Sequence, residues 1–118
     1  MKVKIYQNPR CTSCRKAVKW LSDHQIEAEK IPIIEQPPNI NELKQIIANS
    51  GLDVAKLFHK SGAAYRAFPK DKLREMTEEE QIALLAADGN LLRRPIITGD
   101  GKATVGFNEI EYAKTWGA

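Results

Sequence analysis

The fold of this chain is decided by residues 3–34, which read VKIYQNPRCTSCRKAVKWLSDHQIEAEKIPII. Val3–Tyr6 is mostly apolar and ends before Asn8-Pro9, which predicts a short strand that enters a loop. Apolar residues then recur at helical spacing over residues 11 to about 24, and a second apolar segment covers Ile26–Ile34. A strand, a helix and a strand within about 33 residues form a βαβ unit, which predicts parallel strands joined by a right-handed crossover.

The middle of the chain, residues 39–90 approximately, is expected to be an all-helical insertion. Capping residues and helix breakers predict two helices there, from Asn39 or Asn41 to about Ser50-Gly51 and from Thr77 with Glu80 to Asp88-Gly89. A β-hairpin and a closing helix follow, with Ile96–Thr98 and Ala103–Val105 as the strands and an Asn108–Glu111 capping box before a helix that ends near Trp116. This order predicts one α/β domain over residues 1–118, with a small mixed four-stranded sheet flanked by helices.

Length and charge restrict the class of function. The chain has 118 residues, enough for a core that needs neither disulfides nor a structural metal, and its formal net charge is +3. That charge is too small to indicate nucleic acid or an anionic membrane, but it is compatible with a small anionic ligand. No stretch reaches the roughly 18 apolar residues of a membrane-spanning helix, and no apolar signal segment follows Met1. We therefore expect a cytoplasmic monomer that binds neither nucleic acid nor a membrane.

The two cysteines of the chain, Cys11 and Cys14, form a C-x-x-C pair. A disulfide between them would close a very short loop and add little stability, so a structural role is not expected. Cys11 lies where the first helix is predicted to begin, and the free N–H groups and dipole of a helix N-terminus favour a thiolate. Arg10 and Arg15 add positive charge nearby. We expect Cys11 to be the nucleophile and Cys14, one turn later, to be the resolving thiol.

Two other interpretations of the pair compete with a redox role. The cysteines could be small buried hydrophobic residues, but Cys11 follows a loop, which is a poor place for a core residue. They could bind zinc together with His24 and His59, but these spacings match no common zinc pattern. A C-x-x-C that opens a helix in a cytosolic βαβ chain is typical of redox proteins, and this interpretation is preferred. His24 and His59 are then incidental.

Arg93-Arg94-Pro95 is the second group of residues with functional potential. It lies between a helix and an apolar strand, so its side chains could reach the loop that carries Cys11. Arginine offers a planar fork of donors that suits oxyanions, and its charge also stabilises a thiolate. A solvated basic pair at a helix end would have the same sequence. Pro95 directly before an apolar strand is unusual, and a cis peptide bond would account for it.

Three segments resemble the arsenate reductase (ArsC)/Spx family and occur in the right order: Cys11–Ala17, Leu91–Ile97 and Val105–Glu109. The resemblance covers nearly the whole chain. It implies a thioredoxin-like fold with an inserted helical region, a cis-proline at Pro95 beside the cysteine, and an Arg94 side chain that faces the sulfur.

The resemblance also implies a chemistry. Arsenate reductases of this family use one nucleophilic cysteine and three arginines that hold the oxyanion, and Lys60 lies in the neighbourhood of the second arginine. The expected protein is an ArsC-like thiol–disulfide oxidoreductase that acts on a small oxyanion or a disulfide. Its catalytic residues would be Cys11, Cys14 and Arg94, and the groups that bind the anion or stabilise the thiolate would be Arg10, Arg15, Lys60 and Arg93.

No bound cofactor or metal is expected. An external thiol reductant, either thioredoxin or glutathione with glutaredoxin, would restore the dithiol. The alternative is a Spx-like redox-sensing regulator, because Spx shares the segments C-T-S-C and L-L-R-R-P-I-I. In that case a Cys11–Cys14 disulfide would control the affinity for the α subunit of RNA polymerase.

Overall fold

The computed structural model describes residues 1–117 and contains one mixed sheet of four strands within that range. The strands are β1 (Lys2–Gln7), β2 (Glu27–Pro32), β3 (Ile96–Gly99) and β4 (Lys102–Val105), in the order β2-β1-β3-β4. β1 and β2 are parallel, whereas β1–β3 and β3–β4 are antiparallel. The helix α1 (Thr12–Asp23) connects the parallel pair, so the predicted βαβ unit and the predicted hairpin are confirmed.

The helices between β2 and β3 are α2 (Ile40–Ser50), α3 (Ala63–Ala67), α4 (Lys70–Glu75) and α5 (Glu78–Ala87). Two 3₁₀ turns, Val54–Leu57 and Gly89–Leu91, belong to the same segment, and α6 (Glu109–Trp116) follows the hairpin. None of these helices, within the range that the structure describes, is long and apolar enough to cross a membrane.

Local capping explains where the longer helices begin. Asn39, not Asn41, caps α2, and its capping box is completed by Glu42. Thr77 and Glu80 form the predicted box at α5. The box predicted for α6 is only half formed: the Asn108 side chain accepts from the Glu111 amide at 2.9 Å, but the return bond to the Asn108 amide is not made between these two described residues.

The two faces of the sheet carry separate hydrophobic clusters, because successive side chains of a strand point to opposite faces. Val3 and Ile5 pack with α1 and α6, where Trp20 and Trp116 are buried. Phe107 is half-buried and packs edge-on against the Tyr112 ring of the same cluster. The opposite face, which includes Tyr6, Ile96 and Val105, is covered by the helical segment between β2 and β3.

Strand register brings distant segments of the chain together at one end of the strands. Tyr6 of β1 pairs with Ile96, and Ile96 pairs with Val105 of β4. The loop after β1, the segment before β3 and the segment after β4 therefore meet at the same end. An isolated bridge between Phe58 and Leu92 places the end of the first 3₁₀ turn beside them.

Candidate active site

Cys11 and Cys14 lie at the N-terminus of α1 with different exposure. Cys11 is the N-cap residue, and its sulfur accepts a hydrogen bond from the Cys14 amide at 3.3 Å. The Cys11 amide in turn donates to the Asn8 carbonyl at 3.0 Å, which fixes the loop before the helix. Cys11 is half-buried, Cys14 has an exposure of 0%, and both are free thiols. A ligand can therefore reach the sulfur of Cys11 but not that of Cys14.

Burial also controls the chemistry of the second thiol. It raises the pKa of Cys14 to about 12, and the hydrogen bond with Cys11 acts in the same direction. The Asn8 amide, 3.5 Å from the Cys14 sulfur, and the positive charge of Arg94 lower this pKa by smaller amounts. The Cys14 thiol is consequently protonated at neutral pH.

Cys11 opens onto a cavity of about 510 Å³ at the end of the strands where the segments meet. Within residues 1–117, three guanidinium groups and no carboxylate line this cavity, so it suits an anionic ligand. Its lining residues are Asn8, Arg10, Cys11, Ser13, His59, Ser61, Arg93, Arg94, Gly106 and Phe107.

The backbone holds the Arg94 side chain in place. Its Nε donates to the Leu92 carbonyl at 3.1 Å, and its Nη2 donates to the carbonyls of Gly89 and Asn90, each at 3.1 Å. Because the second 3₁₀ turn supplies these acceptors, the guanidinium is positioned before any ligand arrives. The peptide bond between Arg94 and Pro95 is cis, the isomer that the family resemblance implies.

Arg93 reaches the cavity through a different contact. Its guanidinium lies against Gly106, where a Cβ atom would be 2.6 Å from the Arg93 Nη2. Gly106 has φ +87°, a backbone conformation that residues other than glycine rarely adopt. The Gly106 amide donates to the Pro95 carbonyl at 2.8 Å, and its carbonyl accepts from the Tyr112 hydroxyl at 2.7 Å. The chain after β4 is thus shaped to make room for the arginine.

The structure separates the predicted anion-binding residues into two groups. Arg10, Arg93 and Arg94 line the cavity together with Cys11, whereas Arg15 and Lys60 do not. Arg15 instead donates to the Pro9 carbonyl at 2.9 Å and lines another depression. Lys60 lines a depression next to the Cys11 cavity.

His59 is a lining residue that the sequence did not indicate. It was expected to be incidental, but its half-buried ring lies in the Cys11 cavity and packs over Gly62, where a Cβ would be 2.5 Å from its Cδ2. Burial lowers the pKa of His59, and the positive charge of Arg94 lowers it further. The ring is therefore mainly neutral at pH 7. No local pattern reveals this placement, since it depends on the bridge between Phe58 and Leu92.

The histidines and cysteines do not come together as metal ligands. Within residues 1–117, no three His, Cys, Asp or Glu side chains form a group that could hold a metal ion. His24 lies at the other end of α1, where its ring stacks on Trp20 and its Nδ1 is 2.8 Å from the Trp20 carbonyl.

The family model for the ArsC family matches residues 6–115, which includes every segment around the cavity. This chain belongs to the ArsC family. Two relatives of this family member are an uncharacterized protein and a transcriptional regulator. The uncharacterized protein YusI of Bacillus subtilis is 47% identical over 98% of this chain and 99% of its own length. The global transcriptional regulator Spx of Enterococcus faecalis is 35% identical over 93% of this chain and 83% of its own length.

Solved structures show that the fold is shared as well. The solution structure of SACOL0876 from Staphylococcus aureus is 43% identical, has a TM-score of 0.87, and matches 98% of this chain and 99% of that one. An arsenate reductase from Vibrio cholerae is 25% identical, with a TM-score of 0.85 and 98% of both chains covered. The ArsC member described here therefore has the thioredoxin-like fold that the family resemblance implied, with the mixed four-stranded sheet and flanking helices that the sequence predicted. Its relatives include both enzymes and regulators.

Proposed function

We propose that this protein is a thiol–disulfide oxidoreductase of the ArsC type, in which Cys11 attacks the substrate and Cys14 resolves the product. The observation that supports it best is the position of Cys11: an accessible sulfur at the N-cap of α1, in a cavity lined by three guanidinium groups. The partial positive charge of the helix N-terminus stabilises negative charge on that sulfur, and the arginines attract an anionic substrate.

With a disulfide as substrate, the reaction is a pair of exchanges. The Cys11 thiolate forms a bond with one substrate sulfur, the substrate S–S bond breaks, and the other sulfur leaves as a thiolate with the bonding electrons. The Cys14 sulfur then attacks the Cys11 sulfur and the bond between Cys11 and the substrate breaks. The second substrate sulfur leaves with the bonding electrons and takes up the proton that Cys14 gives up. The substrate gains two electrons in total, and the protein becomes a Cys11–Cys14 disulfide.

The role assigned to Arg94 is to bind the anionic substrate, because backbone carbonyls already hold its guanidinium in the cavity that Cys11 lines. Arg10 and Arg93 add charge on the walls of the same cavity. A small oxyanion such as arsenate would be bound by the same groups. The Cys11 sulfur would form a bond with arsenic while one arsenate oxygen leaves as water, and attack of Cys14 on the Cys11 sulfur would then release arsenite, which keeps the electrons of the broken S–As bond. An external reductant, thioredoxin or glutathione with glutaredoxin, would return the protein to the dithiol.

The test is a set of reduction assays with the purified protein. Arsenate, insulin and a small disulfide are each offered as substrate, with thioredoxin and with glutathione–glutaredoxin as electron donors. We expect turnover with at least one pair, lost in Cys11→Ser. Full activity in Cys11→Ser, or no turnover with any pair, would refute the proposal.

A regulator is the second candidate, and the similarity to Spx over most of the chain supports it. In that function the same Cys11–Cys14 disulfide would alter the affinity for the α subunit of RNA polymerase. Binding of the purified α subunit, measured with the reduced and the oxidised protein, tests this candidate. Absence of binding by both forms at micromolar concentration counts against regulation.

A further inference from the structure

A second depression, of about 370 Å³, adjoins the Cys11 cavity. His59, Ser61 and Arg93 line both, so these three residues form a shared wall between them. The far side of the second depression carries Lys56 and Lys60, both exposed. The two depressions are therefore neighbouring parts of one concave surface.

Hydrogen bonds hold the shared wall rigidly. The His59 amide donates to the Leu91 carbonyl at 2.7 Å, and the Arg93 amide donates to the Leu57 carbonyl at 2.7 Å. The bridge between Phe58 and Leu92 lies between these two bonds. The 3₁₀ turn that carries Lys56 is thus tied through its backbone to the segment that carries Arg94.

The charged side chains that line this surface are all positive. Arg10, Arg93 and Arg94 line the first depression, Lys56 and Lys60 line the second, and no carboxylate of the described residues lines either of them. The whole chain has a net charge of only +3, so five cations in one place are a strong local concentration.

Neither lysine is neutralised by the protein itself. The ion pairs among the described residues are Lys19–Asp23, Lys44–Glu79 and Arg74–Asp71, and none involves Lys56 or Lys60. The carboxylate nearest to Lys56 along the chain, Asp53, caps the 3₁₀ turn by accepting from the Ala55 amide at 3.1 Å. The two ammonium groups are consequently available to a ligand.

We infer that the depression formed by Lys56 and Lys60 is an anion-binding compartment of the active site, which selects disulfides whose substituents carry a carboxylate. The inference rests on the proposed oxidoreductase function and specifies its substrate class. A tetrahedral oxyanion would occupy only part of the first depression, whereas an acidic disulfide places its sulfur at Cys11 and its carboxylate beyond the wall, at the lysines. The exchange at Cys11 is the one described above, with the departing sulfur taking the bonding electrons.

The test compares two aromatic disulfides that differ in charge. Dithiobis(nitrobenzoate) carries a carboxylate on each ring, whereas dithiodipyridine is uncharged. Stopped-flow measurement of the first thiol released gives the rate constant for attack by Cys11. We expect the Lys56→Gln/Lys60→Gln variant to react roughly fivefold more slowly with the carboxylate-bearing disulfide, and within about twofold of wild type with the neutral one. High salt should remove most of the difference, because the lysines are exposed.

Lys2→Gln/Lys4→Gln is the matched control, since it removes two exposed lysines from the opposite end of β1. It should leave both rate constants within about twofold. Equal slowing of the two disulfides in Lys56→Gln/Lys60→Gln, or an effect no larger than in the control, overturns the inference.

A binding measurement covers the case in which Cys11 reacts slowly. The reduced protein is titrated with the released thiol, thionitrobenzoate, while the amide NMR signals of residues 56–61 are followed. Shifts there that disappear in Lys56→Gln/Lys60→Gln support the compartment, and their absence in wild type refutes it. Neither readout needs turnover, so a protein without reductase activity can still show the compartment, and an active reductase can still lack it.

Discussion

The sulfur of Cys11 accepts a hydrogen bond from the amide of Cys14 at 3.3 Å, while the Cys14 sulfur lies buried behind it. The bond orients the first sulfur at the helix N-terminus, where positive charge from the helix dipole is greatest. Burial keeps the second thiol protonated, because it raises the pKa of Cys14 to about 12. The pair is thus arranged so that external reagents meet Cys11 first.

Alkylation should therefore be selective. Iodoacetamide at pH 7.5 is expected to modify Cys11 at least tenfold faster than Cys14, since the thiolate is the reactive form and Cys14 is both buried and protonated. Peptide mapping by mass spectrometry after a short exposure measures the ratio. The same reagent in denaturant is the control, where the two rates should approach each other. Equal modification of the folded protein would contradict the assigned roles.

Replacement of the resolving thiol should trap the intermediate. Cys14→Ser cannot attack the adduct on Cys11, so a mixed disulfide with a small substrate should accumulate and be visible as an added mass in the intact protein. Cys11→Ser, the matched variant, should form no such adduct. A Cys14→Ser protein that releases its adduct as quickly as wild type would show that another group resolves it.

The parts of the fold that the sequence predicted are those fixed by neighbours in the chain. The capping boxes at Asn39 and Thr77 are formed by residues three positions apart, and α1 has a clear apolar face. The segment that contains α3 and α4 falls within the predicted helical insertion, but the sequence predicts neither helix individually. Neither helix has a buried residue, so no apolar periodicity marks them in the sequence.

For the site as well, the sequence predicts what local motifs determine and misses contacts between distant segments. The C-x-x-C spacing of Cys11 and Cys14 is a local motif, and the Cys14 amide donates to the Cys11 sulfur at 3.3 Å. The approach of Arg94 to the cysteine was implied by the family resemblance, and Arg94 lines the same cavity as Cys11. His59 enters the cavity only because its segment pairs with the one before Arg94, a contact between distant parts of the chain. Which side of that segment faces the cysteine decides between His59 and Lys60, and the sequence alone does not determine it.

Burial is the larger cause of the lowered pKa of His59, and the charge of Arg94 should add to it. Burial and this charge lower the pKa of His59 below its usual 6.5. Arg94→Gln is expected to raise the imidazole pKa toward that value, as measured by NMR titration of the ring signals. Arg94→Lys is the control, since it also loses the guanidinium fork but keeps the charge. Identical His59 pKa values in the two variants would show that burial alone lowers the pKa.

The same shift determines how stability depends on pH. Because the folded pKa is below the unfolded one, the unfolded chain binds more protons over the interval between them. The contribution of neutral His59 to the free energy of unfolding is therefore complete above pH 6.5. It is lost as the pH falls through the lowered pKa of His59. Denaturation curves should show that, between these two pKa values, Arg94→Gln loses less free energy of unfolding than Arg94→Lys.

Tyr6 and Glu42 connect the sheet to α2. The Tyr6 hydroxyl donates to Oε2 of Glu42 at 2.9 Å, while Oε1 of the same carboxylate accepts from the Asn39 amide at 2.9 Å. Burial and Glu42 raise the pKa of Tyr6, so the hydroxyl remains a donor. Tyr6→Phe should lower the free energy of unfolding by about 1 kcal/mol, and Glu42→Ala by about 2 kcal/mol because it also removes half of the capping box.

Urea denaturation measures both losses. Tyr65→Phe is the control for removal of a hydroxyl, since the Tyr65 hydroxyl makes no hydrogen bond among the described residues, and it should change stability by less than about 0.5 kcal/mol. A Tyr6→Phe protein as stable as wild type would mean that this bond contributes nothing.

Two glycines allow the position of Arg93 to be tested separately from backbone strain. Gly106 has φ +87° and Gly101 has φ +70°, so alanine at either should cost about 1 kcal/mol of stability. A Cβ at Gly106 would be 2.6 Å from the Arg93 Nη2, whereas nothing lies within 4 Å of a Cβ at Gly101. Gly106→Ala should therefore displace the arginine and slow the reaction of Cys11 with a carboxylate-bearing disulfide about threefold. Gly101→Ala should lose similar stability in thermal denaturation but retain the wild-type rate, and equal rates in the two variants would show that Arg93 does not act on the substrate.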